Sequence, residues 1–296
     1  MADSSHSLNR VIVSGGGTGG HIHPALAIAD EIKRRHPQCD ILFVGAKGRM
    51  EMEKVPAAGY SIKGLWITGV DRNWRSLRNW LFPFKLISSL WNARRILRRF
   101  RPELVVGVGG FASGPVLHQA AQMGIPTAIQ EQNSFPGITN RFLAKRVGLI
   151  CVGFPGLERW FPANRIVETG NPLRMQVLDA VSDQGQPTEA AWKHFAFDGN
   201  RPVVFVMGGS LGAASMNAAV CRMVEGTTEA LPFDLIWQTG ARYHDTMRMR
   251  MQTWPEGVQA GIRCLGFIDR MDLAYRCATV IASGAGAMSI AELALV

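Results

Sequence analysis

The chain has 296 residues, 47% apolar and 19% charged, with 32 glycines and 15 prolines, which is room for two domains of roughly 100–200 residues each. This profile excludes disorder, a collagen-like repeat and a small disulfide-stapled scaffold. Lys+Arg 32 against Asp+Glu 23 gives +9, the balance of a protein that meets phosphate, nucleic acid or an anionic membrane surface.

In chain order, short apolar runs rich in β-branched residues alternate with helical patterns. Strands are predicted at Val11–Val13, Ile41–Val44, Leu104–Val108, Thr127–Ile129, Leu149–Val152 and Ile166–Val167. A second series follows at Val203–Met207, Leu235–Gln238, Ile262–Leu265 and Thr279–Ala282. Helices are predicted at Pro24–Arg35, Lys85–Arg99 and Ala213–Val224. Strands that alternate with helices predict parallel sheets covered on both faces, the doubly wound α/β class. Gly170-Asn171-Pro172 is the turn that best divides the series, giving domains over 1–170 and 171–296.

The positive charge is local. Lys63 to Arg101 holds ten basic residues and one acid, Asp71, a net of +9, so the remainder sums to zero. The same stretch carries Trp66, Trp74, Trp80 and Trp91, with Phe82 and Phe84. Nucleic-acid binding could use such a patch, but no RRM, KH or helix-turn-helix pattern accompanies it. The five cysteines form no CxxC or Cys/His cluster and read as thiols of a reducing cytoplasm. No basic segment leads into a long apolar run at the N-terminus, so no signal peptide is expected. Residues 104–130 lack Asp, Glu, Lys and Arg, yet glycines, prolines, His118 and glutamines interrupt them. They read as strand, loop, helix and strand rather than a membrane span.

Each half opens alike. Val11–Val13 runs into Ser14-Gly15-Gly16-Gly17-Thr18-Gly19-Gly20-His21 and a helix; Val203–Met207 runs into Gly208-Gly209-Ser210-Leu211-Gly212-Ala213 and a helix. A third cluster, Gly107 to Pro115, also follows a strand. Such loops bring backbone N–H groups and helix N-termini close to an anion, at the carboxyl ends of the strands. The first contains GxGxxG, but a dinucleotide site also needs an acid after the second strand. Here Gly45-Ala46-Lys47 follows it, and Asp40 precedes it. His21 and His23 make a His-x-His that could pair on a metal, in a helix-entry turn followed by Pro24.

Five segments occur in order: Gly16-Gly17-Thr18-Gly19-Gly20-His21, Gly109-Gly110-Phe111-Ala112-Ser113-Gly114-Pro115, Glu131-Gln132-Asn133, Pro136-Gly137-Ile138-Thr139-Asn140 and Gly208-Gly209-Ser210-Leu211-Gly212-Ala213. Together they resemble the MurG family, the peptidoglycan N-acetylglucosaminyltransferases, over about residues 10–296. The resemblance implies the GT-B fold, two Rossmann-like domains facing across a cleft. It implies transfer of GlcNAc from UDP-GlcNAc to the muramyl C4 hydroxyl of lipid I, giving lipid II with inversion. No tightly bound metal or other cofactor is expected, a divalent cation being at most stimulatory.

By resemblance His21 is the base and Glu131 assists it or orients the acceptor. Thr18, Gly19, Gly20, Asn133, Arg174, Gly209, Ser210, Leu211, Gly212, Ile268, Ala287, Met288 and Glu292 bind the donor substrate. Within that set Ser210 and the surrounding amides hold the diphosphate, the Ile268 backbone reads uracil, and Glu292 binds both ribose hydroxyls. Gly109, Gly110, Ser113, Gly114, Thr139 and Asn140 bind the acceptor. The family often has His where Gln130 stands, so no ionisable role falls there. Two departures stand out. Ser283-Gly284-Ala285-Gly286-Ala287 lacks the family's arginine, and family members continue past the position of Val296, so the second domain is expected to be cut short.

Trp74, Arg75, Arg78, Trp80, Leu81, Phe82, Phe84 and Lys85 suit a headgroup-level contact, with each cation near anionic lipid worth about 1 kcal/mol. In Lys85–Arg99, Leu86, Leu90, Ala93 and Leu97 form a stripe that packs on the sheet. The partners expected are therefore UDP-GlcNAc, lipid I, the anionic inner face of the cytoplasmic membrane and other cell-wall synthesis proteins. A UDP-sugar 2-epimerase, another lipid glycosyltransferase on the same fold, and an inactive UDP-sugar-binding or lipid-docking fragment are the alternatives.

Overall fold

A computed structural model describes residues 7–69, 80–175, 177–178, 189–209 and 211–296. The chain divides into two compact units, Met1–Arg174 and Met175–Val296. The expected membrane residues Trp74, Arg75 and Arg78, and the expected diphosphate ligand Ser210, lie outside the described residues.

In the first unit, strands β1 (Arg10–Ser14), β2 (Asp40–Ala46), β3 (Ser61–Leu65), β4 (Leu104–Gly107), β5 (Thr127–Glu131), β6 (Leu149–Val152) and β7 (Ile166–Glu168) are all parallel. Among the described residues they run in the order β3-β2-β1-β4-β5-β6-β7. The order reverses at β1, so the helices that follow β1 and β4 cover opposite faces of the sheet. Both faces are covered, which is why the strand sequences are almost continuously apolar. Ile12, Leu42, Val44 and Val105 point to one core, while Val11, Val13, Ile41, Phe43 and Val106 point to the other.

Helices α1 (Gly19–Arg35) and α2 (Glu51–Ala57) follow β1 and β2, and α3 (Phe82–Phe100), α4 (Ser113–Gln122) and α5 (Ile138–Leu143) lie side by side in chain order. Pro83 sits in the first turn of α3, where a missing N–H costs nothing. The buried stripe of α3 is Ser89, Ala93 and Leu97, with Leu86 packed beside it. Strand β3 has no counterpart in the sequence pattern. It is an edge strand broken by Lys63 and Gly64, and a side chain at Gly64 would strike Lys47 and Met52.

The second unit repeats the plan with β8 (Val203–Met207), β9 (Asp234–Gln238), β10 (Ile262–Leu265) and β11 (Val280–Ser283), parallel and ordered β10-β9-β8-β11 among the described residues. Val203, Phe205 and Met207 face one core with Tyr275, and Val206, Leu235 and Trp237 face the other with Val220. Helix α6 (Glu189–His194) precedes β8; α7 (Ala214–Val224), α8 (His244–Met251), α9 (Glu256–Ala260), α10 (Met271–Cys277) and α11 (Ala287–Leu293) complete the layers. No helix of the described residues is long and apolar enough to cross a membrane.

Candidate active site

The chemistry-bearing side chains of the first unit gather at the carboxyl ends of β1, β4 and β5. Glycine is what lets the strands' loops meet there. Gly16 (φ +143°), Gly109 (φ +93°) and Gly110 (φ +87°) take conformations that L side chains rarely adopt. A Cβ on Gly110 would lie 2.4 Å from the Gly16 carbonyl oxygen, so the β1 and β4 loops touch backbone to backbone. A Cβ on Gly109 would lie 2.9 Å from the His21 ring, which rests on that glycine.

His21 lies in the first turn of α1, after Thr18, whose hydroxyl oxygen is 3.3 Å from ring Nδ1. The Gly16 carbonyl hydrogen-bonds the ring, and the charges of Glu131 and Glu51 favour its protonated form. Burial outweighs all three and holds its pKa below the usual histidine value. The imidazole is therefore neutral near pH 7, the state a proton acceptor needs. His23 is pushed down to about 4 by burial, then by the Arg174 guanidinium and the Lys54 ammonium. Arg174 thus comes to the helix entry that carries His21. Among the described residues no group of three His, Cys, Asp or Glu could hold a metal ion.

Glu131 ends β5, which runs two residues further than the apolar pattern predicts. Its buried carboxylate accepts four hydrogen bonds: from the Asn133 N–H (3.1 Å) and Nδ2 (3.0 Å), the Gly137 N–H (3.0 Å) and Asn140 Nδ2 (2.9 Å). It folds the 131–140 loop around itself and acts on His21 through space. Asn140 is buried, with Oδ1 left unpaired in the interior. Asn133 is exposed, as a substrate contact requires. Ser113 donates to the Gly110 carbonyl (2.9 Å), and Gly114 abuts Thr139, so the expected acceptor residues share one neighbourhood. Gln130 Nε2 donates to Asn171 Oδ1 (3.1 Å), and Asn171 Nδ2 to the Gln132 carbonyl (3.1 Å). That exchange fastens the segment leading to Arg174 onto the end of β5.

Three residues of this site have no role in the sequence reading: Gln132 and Asn171 stand there only within a motif and a turn, and Glu51 is absent from it. Glu51 is 1% exposed at the start of α2; its Oε2 accepts the Gly17 N–H (2.8 Å) and its Oε1 the Ala46 N–H (3.0 Å). An acid thus stands at the end of β2 after all, turned inward onto the glycine loop. Its only sequence signal is its place a few residues beyond that strand.

The second unit builds its loop in the same way. A Cβ on Gly212 (φ +73°) would lie 2.1 Å from the Thr239 carbonyl oxygen, and one on Gly240 2.5 Å from the Gly212 backbone. Asn217 ties the two together, accepting from Trp237 Nε1 (3.0 Å) and donating to the Thr239 carbonyl (3.0 Å). Gly209 has open space around it and Leu211 is exposed. The Ile268 side chain is core, leaving only its backbone for a ligand. Ala287 and Met288 open α11, which also carries Glu292. Glu292 is buried, and its Oε2 accepts from the Tyr275 hydroxyl (2.7 Å).

On the first unit, Trp80, Leu81 and Phe84 are exposed, Phe82 less so. Lys85 turns back, donating to Thr68 Oγ1 (3.1 Å) and lying over the Trp66 ring. Ile87 (66% exposed) and Trp91 (63%) continue the apolar stripe of Phe84 (65%) along α3, and Arg95 lies over Trp91. The sequence assigns Leu86, Leu90, Ala93 and Leu97 of this helix to the core and places Trp91 in the basic, aromatic stretch.

The N-terminal domain of glycosyltransferase family 28 matches residues 11–151, and the C-terminal domain of that family matches residues 203–296. A UDP-N-acetylglucosamine–N-acetylmuramyl-(pentapeptide) pyrophosphoryl-undecaprenol N-acetylglucosamine transferase of Christiangramia forsetii is 50% identical, over 97% of this chain and 75% of that protein. The crystal structure of Acinetobacter baumannii MurG superposes with a TM-score of 0.66 at 27% identity, over 97% of this chain and 76% of that one. A UDP-GlcNAc 2-epimerase of Neisseria meningitidis, crystallised with UDP-GlcNAc, shares the fold alone: TM-score 0.59, 13% identity, over 94% of this chain and 78% of that one. The chain belongs to glycosyltransferase family 28, within its MurG branch.

Proposed function

We propose that this chain transfers GlcNAc from UDP-GlcNAc to the C4 hydroxyl of the muramyl sugar of lipid I, with inversion at the sugar carbon. The observation that carries the reading is the neutral His21, seated on Gly109 and hydrogen-bonded to Gly16, in a chain of this family. His21 takes the acceptor hydroxyl proton as the sugar bond to the diphosphate breaks. Glu131 shapes the acceptor loop and adds negative charge that favours the imidazolium formed. Gly109, Gly110, Ser113, Gly114, Thr139 and Asn140 line the acceptor side. Thr18, Gly19, Gly20, Asn133 and Arg174 meet the donor from the first unit.

In the second unit the Gly209–Gly212 amides and Ser210 hold the diphosphate, the Ile268 backbone the base, and Glu292 with Ala287 and Met288 the ribose side. For Glu292 this requires the Tyr275 hydroxyl to yield or share its oxygen. The leaving group is stabilised by these N–H groups and Arg174, with no tightly bound metal, a divalent cation being at most stimulatory. The aromatic face of α3 supports docking on the anionic inner leaflet, where lipid I lies, and contact there with other cell-wall synthesis proteins.

The test is UDP release dependent on a lipid I analogue, with His21→Ala alongside. Turnover that disappears in the variant while UDP affinity persists is expected. UDP binding without release by the unsubstituted chain would leave a binding module, release without acceptor would mean hydrolysis of the donor in place of transfer, conversion of UDP-GlcNAc to its C2 epimer would point to an epimerase, and turnover surviving in His21→Ala would remove the base assignment.

A further inference from the structure

Glu51 stands at the carboxyl edge of the first sheet, against the glycine loop after β1. It is buried, it heads α2, and its two oxygens hold the N–H groups of Gly17 and Ala46 at the ends of β1 and β2. A Cβ on Gly16 would lie 2.3 Å from its carboxyl carbon, and one on Gly45 2.6 Å from its Cγ. Two glycines are therefore cut to the shape of this one side chain. The contacts continue in one line: Glu51 lies against Gly16, the Gly16 carbonyl hydrogen-bonds the His21 ring, and Gly110 closes on that carbonyl from the other side.

We infer that Glu51 is a positioning residue for the transfer: from inside the fold it fixes the Gly16–Gly17 turn, and so the place where His21 enters its helix. In a dinucleotide-binding sheet an acid at the end of β2 faces outward to a ribose. Here the acid faces inward and does for the loop what a bound phosphate would otherwise do, filling its N–H group before any ligand arrives. An N–H left without a partner inside the fold is unfavourable, so without Glu51 the turn would rearrange.

The inference rests on His21 being the base. Among the elements packed around His21, the charged groups acting on it are Glu131 at the end of β5 and Glu51 at the head of α2; Arg174 and Lys54 act on neighbouring His23. Removing the charge of Glu51 lowers the pH at which His21 protonates, whereas retaining the charge on a shorter arm does not.

Glu51→Gln and Glu51→Asp in the full chain separate positioning from bulk stability. Glu51→Gln is expected to lose about tenfold to a hundredfold in kcat, the range of a small misplacement at the reacting centre, with KM for UDP-GlcNAc within about twofold. The acid limb of kcat/KM, and the His21 ring titration followed by NMR, both move to lower pH. Glu51→Asp is expected to lose kcat with the acid limb unmoved. An unchanged kcat in Glu51→Asp, an unmoved His21 titration in Glu51→Gln, or a rise in KM at constant kcat would overturn the inference. If Glu51→Gln does not fold, Glu51→Asp decides alone on kcat. The NMR titration needs no turnover, so a failure of the base assignment, seen as turnover in His21→Ala, is distinguishable from a failure of the Glu51 inference.

Discussion

Replacing Gly109 by alanine places a methyl group where the His21 ring now rests. The position has φ +93°, which costs a non-glycine residue about 1–3 kcal/mol. The new carbon would stand 2.9 Å from both Cδ2 and Nε2 of the imidazole, against an ordinary contact of roughly 3.5 Å. The ring must then retreat by about 0.6 Å, or the β4 loop by the same amount. A displacement approaching 1 Å at a proton-transfer partner costs up to about a hundredfold in rate, so kcat should fall by tenfold or more while UDP affinity holds. Gly124→Ala is the control: its φ is +71° with nothing within 4 Å of the added carbon, in the turn after α4. Both variants should lose stability through backbone strain, visible as a drop of several degrees in Tm, Gly109→Ala more through its contact with the ring, and only Gly109→Ala should lose turnover. Equal kcat in the two variants would refute the reasoning, because backbone strain alone would then account for everything.

Stability should depend on acid through His23, whose pKa stands at about 4 in the fold against about 6.5 in the unfolded chain. The unfolded chain binds the proton first, so stability is lost as pH falls from about 6.5 to about 4, by up to roughly 3 kcal/mol. His23→Gln should flatten that part of a denaturation series against pH, and an unchanged slope would count against the burial assigned to His23. On the membrane side, Phe84→Ser with Trp91→Ser should weaken sedimentation with vesicles rich in anionic lipid, since each aromatic buried in the interface contributes about 1.5–3 kcal/mol. Raised salt should weaken binding further through the cations of α3, and binding indifferent to both changes would exclude this face as the contact.

The alternation of apolar runs and helical periods gave the doubly wound class, and the chain indeed forms parallel strands in two units. Strand β3 escaped because an edge strand carrying Lys63 and Gly64 has no apolar alternation to read. The glycine loops were legible as phosphate-type turns, since their residue types report local φ. Their interlocking was not. Gly110 meets Gly16 and Gly240 meets Gly212 only once strands distant in sequence lie side by side. Glu131 was legible through its Glu-Gln-Asn segment two residues past a predicted strand, but its four hydrogen bonds to the 131–140 loop make it an organiser of that loop.

Local chemistry therefore determined which residues gather at the carboxyl ends of the strands, because glycine, strand-end acids and helix-opening histidines carry their positions in their neighbours along the chain. The tertiary structure decided what each one does there. Whether Glu51 faces solvent or the back of a glycine loop, whether the His21 ring is charged or neutral, and whether Trp91 belongs to the core or the surface depend on packing across the sheet. Burial and through-space charge are sums over groups far apart in sequence, and no window along the chain contains them.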